Sequence, residues 1–373
     1  MATPRPFRLD VPGAALDDLR ERLKRTRWPE ELSGTGWRQG ADMDYLRDLC
    51  DYWRNDYDWR VHEARFNTWP QFTAEVDGVD LHFIHVRGRS PASIPLLLLH
   101  GWPGSQVEFQ AVIGPLTDPE AHGLSAVPCF DVIVPALPGF GFGGKPRVPG
   151  WGANRISAAL NQLMTRILGY TQYAIQGGDW GTILGRRISR NHGEHVRALH
   201  INMAYAPPPA ATPIDSASIA RATDLTGYLH LQNTRADTLT AGLSDSPMGL
   251  AAWILEKFRS WSDCGGVVER AIPRDTLLTN LMFYWLPNSV ASATRIYFET
   301  AVEGDDVWSE PRVSVPTGVA AFPKEPYLAP RAWVERLYDV RRWTEMPRGG
   351  HFAALEAPDL LVVDIRAFLS DHI

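Results

Sequence analysis

The chain has 373 residues, of which 45% are hydrophobic and 21% charged, and its formal net charge is −6. These values are ordinary for a soluble globular protein, and the negative charge offers no basic footprint for nucleic acid or an anionic membrane surface. The longest aliphatic run, over residues 94–99, is too short to span a bilayer, and the N-terminus lacks an apolar signal core. We therefore expect a cytoplasmic protein whose three cysteines are free thiols.

The first 75 residues indicate an N-terminal extension built mainly of helices. Apolar residues recur at helical spacing over residues 14–25 and 42–55. Neither segment is long enough to form its own core, so we expect both to pack on the rest of the chain. Residues 72–86 alternate between apolar and polar on both sides of Asp77-Gly78, which predicts a β-hairpin.

From residue 95 onward, predicted strands and helices alternate. The strands cover residues 95–100, 130–136, 173–176, 196–202 and 313–322, with a last one near Trp343, and helices follow most of them. This alternation predicts a parallel sheet with right-handed crossovers. Residues 205–302 show helical patterns and no strand signal. We predict an extension at 1–75, a core at 76–204, an inserted helical lid at 205–302 and the rest of the core at 303–373.

One short stretch, GGDWG at residues 177–181, connects a predicted strand to a predicted helix. Small residues two before and two after a central residue, between a strand and a helix, are typical of the nucleophile elbow of the α/β-hydrolase fold. The central residue is Asp179, where the usual motif has serine. A carboxylate with a pKa of ~3.9 is ionised at neutral pH and suits attack on a saturated carbon, which gives an alkyl ester. A helix N-cap is the alternative role for this aspartate.

Hydrolysis of such an ester requires a general base, and the sequence offers His351. Triad residues in this fold follow the order nucleophile, acid, histidine. Of the 11 histidines, only His351 lies between the last predicted strand and the final helix. The acid should follow the strand at 313–322, where Glu325 is the first carboxylate. A solvated surface glutamate is an equally good interpretation of Glu325 from its position alone.

The segment HGWPG at residues 100–104 follows the first strand of the predicted parallel sheet. In the α/β-hydrolase fold, a loop at this place and the residue after the nucleophile supply backbone N–H groups for an oxyanion hole. We therefore assign the N–H groups of Trp102 and Trp180 to that role. A simple strand-ending turn is compatible with the same pattern.

Together these motifs resemble epoxide hydrolases of the α/β-hydrolase fold, in the branch of microsomal epoxide hydrolase with its N-terminal extension. The similarity covers nearly the whole chain. Its segments are HGWPGS at 100–105, LPGFGF at 137–142, GGDWG at 177–181, GYLHLQ at 227–232, DSPMGLAAWILEKF at 245–258, PTGVAAFPKE at 316–325 and GGHFAALE at 349–356. The resemblance implies an α/β protein with a mostly parallel sheet of eight strands flanked by helices, an inserted helical lid and the extension. No transmembrane anchor precedes Pro6, so we expect a soluble protein, as bacterial members are.

The resemblance also implies roles for particular residues. Asp179 matches the nucleophile, His351 the base and Glu325 the acid that orients the base. Tyr228 and Tyr297 match the two lid tyrosines that hold and protonate the epoxide oxygen. The implied reaction is cofactor-free hydrolysis of an epoxide to a vicinal diol, with no metal.

Two other functions compete with epoxide hydrolysis. A haloalkane dehalogenase shares the aspartate nucleophile, but a halide leaves as a stable anion, whereas an alkoxide needs a proton donor such as tyrosine. The paired tyrosines therefore favour the epoxide. A non-catalytic ligand-binding relative is less consistent with a chain in which every expected catalytic position is filled.

Aromatic residues of the lid indicate a small-molecule substrate that is an apolar or aryl epoxide. We expect the following aromatic residues to contact it: Trp102, Trp180, Trp253, Trp285 and Phe352. The natural epoxide and the oligomeric state, including a possible homo-oligomer, stay open.

Overall fold

A sheet of nine strands organises the chain in the computed structural model, which describes residues 3–210, 212, 216–304 and 311–372. Residues 211 and 213–215 of the predicted lid and residues 305–310 of the second core segment lie outside these ranges. The strands are β1 (Arg5–Phe7), β2 (Gln71–Val76), β3 (Val79–Val86), β4 (Ile94–Leu99), β5 (Phe130–Pro135), β6 (Tyr173–Gly177), β7 (Val196–Ile201), β8 (Val313–Ala321) and β9 (Tyr338–Glu345).

The strand order is β1-β2-β3-β5-β4-β6-β7-β8-β9. Neighbouring strands from β5 to β9 in this order are parallel, whereas β1, β2, β3 and β5 pair antiparallel. Strands β2 to β9 confirm the predicted eight-stranded sheet of the α/β-hydrolase fold. Strand β1 was not predicted; in it, Arg5 pairs with Thr73 at the sheet edge. Three residues that include Pro6 carry no alternating pattern, and proline is tolerated on an edge strand.

Helices cover both faces of the sheet and fill the segment between β7 and β8. They are α1 (Gly13–Lys24), α2 (Met43–Asn55), α3 (Trp59–Phe66), α4 (Gln110–Thr117), α5 (Ala153–Gln162), α6 (Trp180–Asn191), α7 (Ser216–Leu243), α8 (Pro247–Trp261), α9 (Arg274–Trp285), α10 (Val290–Glu303), α11 (Arg331–Leu337), α12 (Ala353–Glu356) and α13 (Pro358–His372). Helices α7 to α10 occupy the segment predicted as the lid. No helix in the described ranges is both long enough and apolar enough to cross a membrane.

The centre of the sheet is buried on both faces. All six residues of β5 are buried, as are the last four residues of β4. Such strands are continuous apolar runs because no face of the sheet meets water. The carboxyl ends of the parallel strands meet along one edge, where an open α/β sheet places its ligand site. The loops that follow β4, β6, β8 and β9 all begin at this edge.

The N-terminal extension contacts the lid helices through hydrogen bonds and ion pairs. The hydroxyl groups of Tyr57 and Thr279 on α9 are 3.0 Å apart and buried. Arg274 on the same helix forms an ion pair of 2.8 Å with Asp48 of α2. These contacts join segments more than 200 residues apart in the chain, so the extension and the lid form one packed unit.

Candidate active site

Asp179 lies in a tight turn between β6 and α6. Its backbone is in a strained region, with φ of 51° and ψ of −127°. A Cβ atom on Gly181 would lie 2.0 Å from the carbonyl oxygen of Leu99, and one on Gly177 would lie 2.4 Å from Gly181. Only glycine fits at these two positions, so the geometry matches the predicted elbow.

The loop after β4 contacts the Asp179 carboxylate directly. The Trp102 N–H group donates a hydrogen bond of 2.8 Å to Asp179 Oδ1. A Cβ atom on Gly101 would lie 2.1 Å from the same oxygen, so this loop approaches the carboxylate as closely as glycine allows. An N–H donor held at this place can stabilise negative charge that develops on the carboxyl oxygen.

His351 lies between two carboxylates in the loop after β9. Its Nδ1–H group donates to Glu325 Oε2 over 2.8 Å, and its Nε2 atom is 3.4 Å from Asp179 Oδ2. Burial alone would lower the pKa of His351, but the charge of Glu325 and the hydrogen bond to Asp179 outweigh burial and raise that pKa well above its ordinary value. His351 is therefore an imidazolium ion while both carboxylates are charged.

Glu325 follows β8 and is buried, with 6% of its surface exposed. The solvated alternative for this residue is therefore wrong. Its second carboxylate oxygen, Oε1, accepts a hydrogen bond of 3.0 Å from the Tyr327 N–H group. Both oxygens of Glu325 are thus engaged, and this fixes the direction in which His351 points.

Tyr228 on α7 and Tyr297 on α10 face each other above Asp179, with ring centroids 6.1 Å apart. The Tyr228 ring stacks on Trp102 at 5.2 Å and 10°, and the Tyr297 ring meets Trp180 edge-on at 4.8 Å and 90°. Burial, together with the negative charge of Asp179, raises the pKa of both tyrosines well above the ordinary value. Their hydroxyl groups therefore keep their protons at neutral pH.

A cavity of ≈ 360 Å³ opens between Asp179 and the lid. Its wall includes both tyrosines, Trp180 and Tyr327, and is otherwise largely apolar. A cavity of this size suits a small organic molecule.

The predicted substrate-contacting residues divide into three groups. Trp180 lines the large cavity, whereas Trp102 and Phe352 line a small pocket that also borders His351. Trp253 and Trp285 line neither of these two spaces, so their contact with the substrate stays a prediction. The Trp253 Nε1–H group donates to Gln232 over 3.2 Å, and the ring of Trp285 lies 5.7 Å from the guanidinium of Arg22 in the extension. Aromatic content alone does not distinguish a helix face that meets the cavity from one that meets another helix.

The sequence analysis missed two polar residues that lie beside Tyr228 and His351. The Tyr327 hydroxyl is 3.4 Å from the Tyr228 hydroxyl, and the Asn202 side-chain amide donates to the His351 carbonyl oxygen over 3.3 Å. The sequence positions of both residues could have identified them. Tyr327 comes two residues after Glu325, and Asn202 directly follows β7 at the edge of the sheet that carries the site.

An aspartate at a strained elbow, paired with a histidine and a buried glutamate after the last two strands, defines an α/β-hydrolase with a carboxylate in the nucleophile position. The family models agree with this class. One described as "Epoxide hydrolase N terminus" matches residues 4–109, and one described as "alpha/beta hydrolase fold" matches residues 94–254.

Relatives assign the chain to a family within that class. A protein of Stigmatella aurantiaca (strain DW4/3-1), whose name classes it provisionally as an epoxide hydrolase, is 42% identical over 97% of this chain and 83% of its own length. Epoxide hydrolase 1 of Oryctolagus cuniculus is 36% identical over 98% of this chain and 88% of its own. The chain belongs to the epoxide hydrolase family.

Solved structures support the same assignment at the level of the fold and the sequence. The juvenile hormone epoxide hydrolase from the silkworm Bombyx mori superposes with a TM-score of 0.89 at 31% identity, over 100% of this chain and 95% of that one. The epoxide hydrolase of Aspergillus niger superposes with a TM-score of 0.87 at 31% identity, over 99% and 97% of the two chains. The protein is therefore an epoxide hydrolase of the α/β-hydrolase fold.

Proposed function

We propose that the enzyme converts an apolar or aryl epoxide to a vicinal diol in two steps, through an ester on Asp179 and without a cofactor. The observation that carries this proposal is the position of Asp179, which has the His351–Glu325 pair on one side and two tyrosine hydroxyl groups on the other. The residue assignments made from the sequence enter this proposal unchanged.

In the first step, the Asp179 carboxylate opens the epoxide. The Trp102 N–H group holds Oδ1, which leaves Oδ2 to attack a ring carbon. The bond between that carbon and the epoxide oxygen breaks, and the oxygen takes a proton from Tyr228 or Tyr297. A strained ether still has a basic leaving oxygen, so a proton donor accelerates this step much more than it would accelerate loss of a halide. The tyrosine pair therefore favours epoxides over haloalkanes as substrates.

In the second step, water hydrolyses the ester. Alkylation removes the negative charge of Asp179 and with it one of the interactions that raise the pKa of His351. The pKa of His351 then falls, the imidazolium passes its proton to the phenolate left by the first step, and the neutral imidazole can take a proton from water as a general base. Water attacks the ester carbonyl, and the Trp102 and Trp180 N–H groups stabilise the oxyanion. The bond to the diol oxygen breaks as that oxygen takes the proton from His351. Asp179 is regenerated as a carboxylate, and the second proton of the water returns to His351.

A His351→Gln variant tests this order of events. Attack by Asp179 does not require a base, whereas ester hydrolysis does, so the variant should react once and then stop. After incubation with an aryl epoxide that the wild type converts, mass spectrometry of the intact protein should show a gain of one epoxide, and peptide mapping should place it on Asp179.

The double variant Asp179→Ala/His351→Gln is the matched control and should gain no mass. Direct attack of a base-activated water on the epoxide is the competing mechanism and predicts no adduct in either variant. An unmodified His351→Gln protein would exclude the ester, and an adduct on a different side chain would exclude Asp179 as the nucleophile.

A further inference from the structure

A second, much smaller cavity borders the active site. It measures ≈ 10 Å³, which is close to the space that one water molecule occupies. Asp179 lines both this cavity and the large one, whereas His351 lines only the small one. The Asp179 carboxyl group therefore separates a space for an organic molecule from a space for water.

Glu108 lines the small cavity and has no part in the mechanism described above. Its carboxylate lies against the loop after β4, since a Cβ atom on Gly104 would be 1.6 Å from Glu108 Oε1. Because Gly101 has no side chain, the Asp179 carboxylate can pack against this loop, and because Gly104 has none, the Glu108 carboxylate can do the same. Two glycines in four residues thus bring two carboxylates to one small space.

Helix capping explains only part of this placement. Ser105 precedes the helical turn at Gln106–Phe109, and its hydroxyl accepts the Val107 N–H group, while the Glu108 carboxylate accepts the Ser105 N–H group. This is a capping box, which works equally well at a solvated helix end. Capping does not explain why the Glu108 carboxylate lies beside Asp179. Removal of this carboxylate from water and its repulsion by Asp179 are both unfavourable.

A second polar side chain, which is almost fully buried, also lines the cavity. Gln176 is 1% exposed and lines it, and within the described ranges its Oε1 atom has no hydrogen-bond partner. The Gln176 amide NH₂ donates to Asn202 Oδ1 over 2.9 Å, which fixes the side chain so that the carbonyl oxygen stays free. A buried acceptor of this kind is normally satisfied by protein or by an ordered water molecule.

We propose that Glu108 binds the water molecule that hydrolyses the Asp179 ester, and that Gln176 completes its site; this inference rests on the ester mechanism proposed above. The water would donate one hydrogen to His351 Nε2 as a proton and the other to the Glu108 carboxylate as a hydrogen bond. Its oxygen forms the new bond to the carboxyl carbon of Asp179, and the diol oxygen leaves with the proton returned by His351. Glu108 is neither protonated nor consumed in this step.

The proposed role requires Glu108 as a carboxylate. Burial is the main cause that raises the pKa of Glu108, to about 8; the charge of Asp179 adds to it, whereas the charge of His351 and the hydrogen bond from the Ser105 N–H group lower it. A hydrogen bond from the bound water would favour the carboxylate further, because a donor to the charged form stabilises that form.

A Glu108→Gln variant separates this role from capping, because glutamine also completes a capping box. Rapid mixing with an aryl epoxide, followed by acid quenching and mass spectrometry, gives separate rate constants for ester formation and ester hydrolysis. We expect hydrolysis to slow by at least about tenfold and formation to stay within about threefold, so that the ester accumulates in the steady state.

Ser105→Ala is the control for the cap; it also removes the hydrogen bond of 2.7 Å from the Ser105 hydroxyl to Asn280 Oδ1. It should lower the Tm and leave the ratio of the two rate constants within about threefold of the wild type. A Gly104→Ala variant offers an independent test, because the added methyl group displaces the Glu108 carboxylate and should reproduce the slow hydrolysis.

Three results would overturn the proposal. Wild-type ester hydrolysis in Glu108→Gln would exclude the water site, and equal slowing of both steps together with a lowered Tm would assign Glu108 to structure alone. Absence of any ester in His351→Gln would instead reject the covalent mechanism, and this inference with it.

Discussion

Asp179, His351 and Glu325 come from loops at the ends of core strands, whereas Tyr228 and Tyr297 come from helices between β7 and β8. The core residues are held by directional bonds: a backbone N–H group on Asp179, and His351 and a second N–H group on Glu325. The tyrosine rings are held mainly by stacking and edge contacts with tryptophans. The two halves also contact each other away from Asp179. The His351 N–H group donates to the carbonyl oxygen of Trp261 on α8 over 3.0 Å, and the Tyr228 and Tyr327 hydroxyl groups are 3.4 Å apart.

Under the proposed mechanism, the two halves would serve different chemical steps. The core would provide a base, its orienting acid and an N–H donor, which are the groups that ester hydrolysis requires. The lid would provide two phenol protons, which are the groups that epoxide opening requires. A change in one half should therefore slow one step and spare the other, and each prediction below measures that separation.

The largest effect should come from the lid. Replacing both Tyr228 and Tyr297 with phenylalanine removes the proton donors and keeps the rings that stack on the tryptophans. Ester formation should slow by roughly 10²–10⁴-fold, the range expected for general acid catalysis. Hydrolysis of any ester that does form should be nearly unchanged, as measured by rapid quenching and mass spectrometry.

Tyr338→Phe is a suitable control because Tyr338 is a buried tyrosine at the start of β9, outside both cavities. It should leave both steps unaltered. If the double variant opened epoxides at the wild-type rate, the proposed role of the lid tyrosines would be wrong. If the wild type released chloride rapidly from chloroalkanes, the enzyme would instead be a haloalkane dehalogenase.

A smaller and opposite effect should come from Glu325→Gln in the core. The amide keeps the shape of the side chain but loses the charge that orients and stabilises the His351 imidazolium. Ester hydrolysis should slow by roughly 10²-fold, below the loss caused by removal of a triad carboxylate in a serine protease. Epoxide opening should change much less, because Asp179 does not need a base.

The same variant also gives a pH test with a definite sign. The charge of Glu325 raises the pKa of His351, so its removal lowers that pKa. Because hydrolysis requires neutral His351, the acidic limb of its pH–rate profile should move to lower pH in Glu325→Gln. An unmoved limb would show that another group orients the base.

The core could be predicted from the sequence because each of its features has a local cause. The apolar run of β4 requires burial on both faces, and the glycines of the elbow are required by contacts of 2.0–2.4 Å that exclude any side chain. Loop position after particular strands then selected His351 and Glu325. The short strand β1 was not predicted, because three residues are too few to show an alternation of apolar and polar side chains.

The lid could not be predicted in the same way. Tyr228 and Tyr297 are 69 positions apart on α7 and α10, and helical periodicity does not show which tyrosine of a helix faces a cavity. They were assigned only through the resemblance to a family. The same limit applies to Trp285, whose ring lies 5.7 Å from the guanidinium of Arg22 in the extension. Glu108 could not be identified from the sequence, because the glutamate of a capping box lies three residues after the serine whether or not its side chain lines a cavity.

The smallest predicted effect concerns the extension, which supports the lid from outside the site. Tyr57→Phe removes a buried hydroxyl that pairs with Thr279 on α9, and a hydrogen bond of this kind contributes about 1 kcal/mol to the free energy of unfolding. The Tm should fall slightly, and both rate constants should stay within about twofold, because the tyrosine hydroxyl groups are positioned by contacts within the lid and the core.

Tyr52→Phe provides a graded comparison for this test. Its hydroxyl donates to Asp275 over 2.7 Å but is only partly buried, so water can replace the bond and the loss of stability should be smaller than for Tyr57→Phe. If Tyr57→Phe instead slowed epoxide opening while its Tm stayed at the wild-type value, the extension would set the position of the lid tyrosines. Epoxide opening would then depend on the N-terminal extension as well as on the lid, and the assignment of one step to the core and one to the lid would have to include the extension.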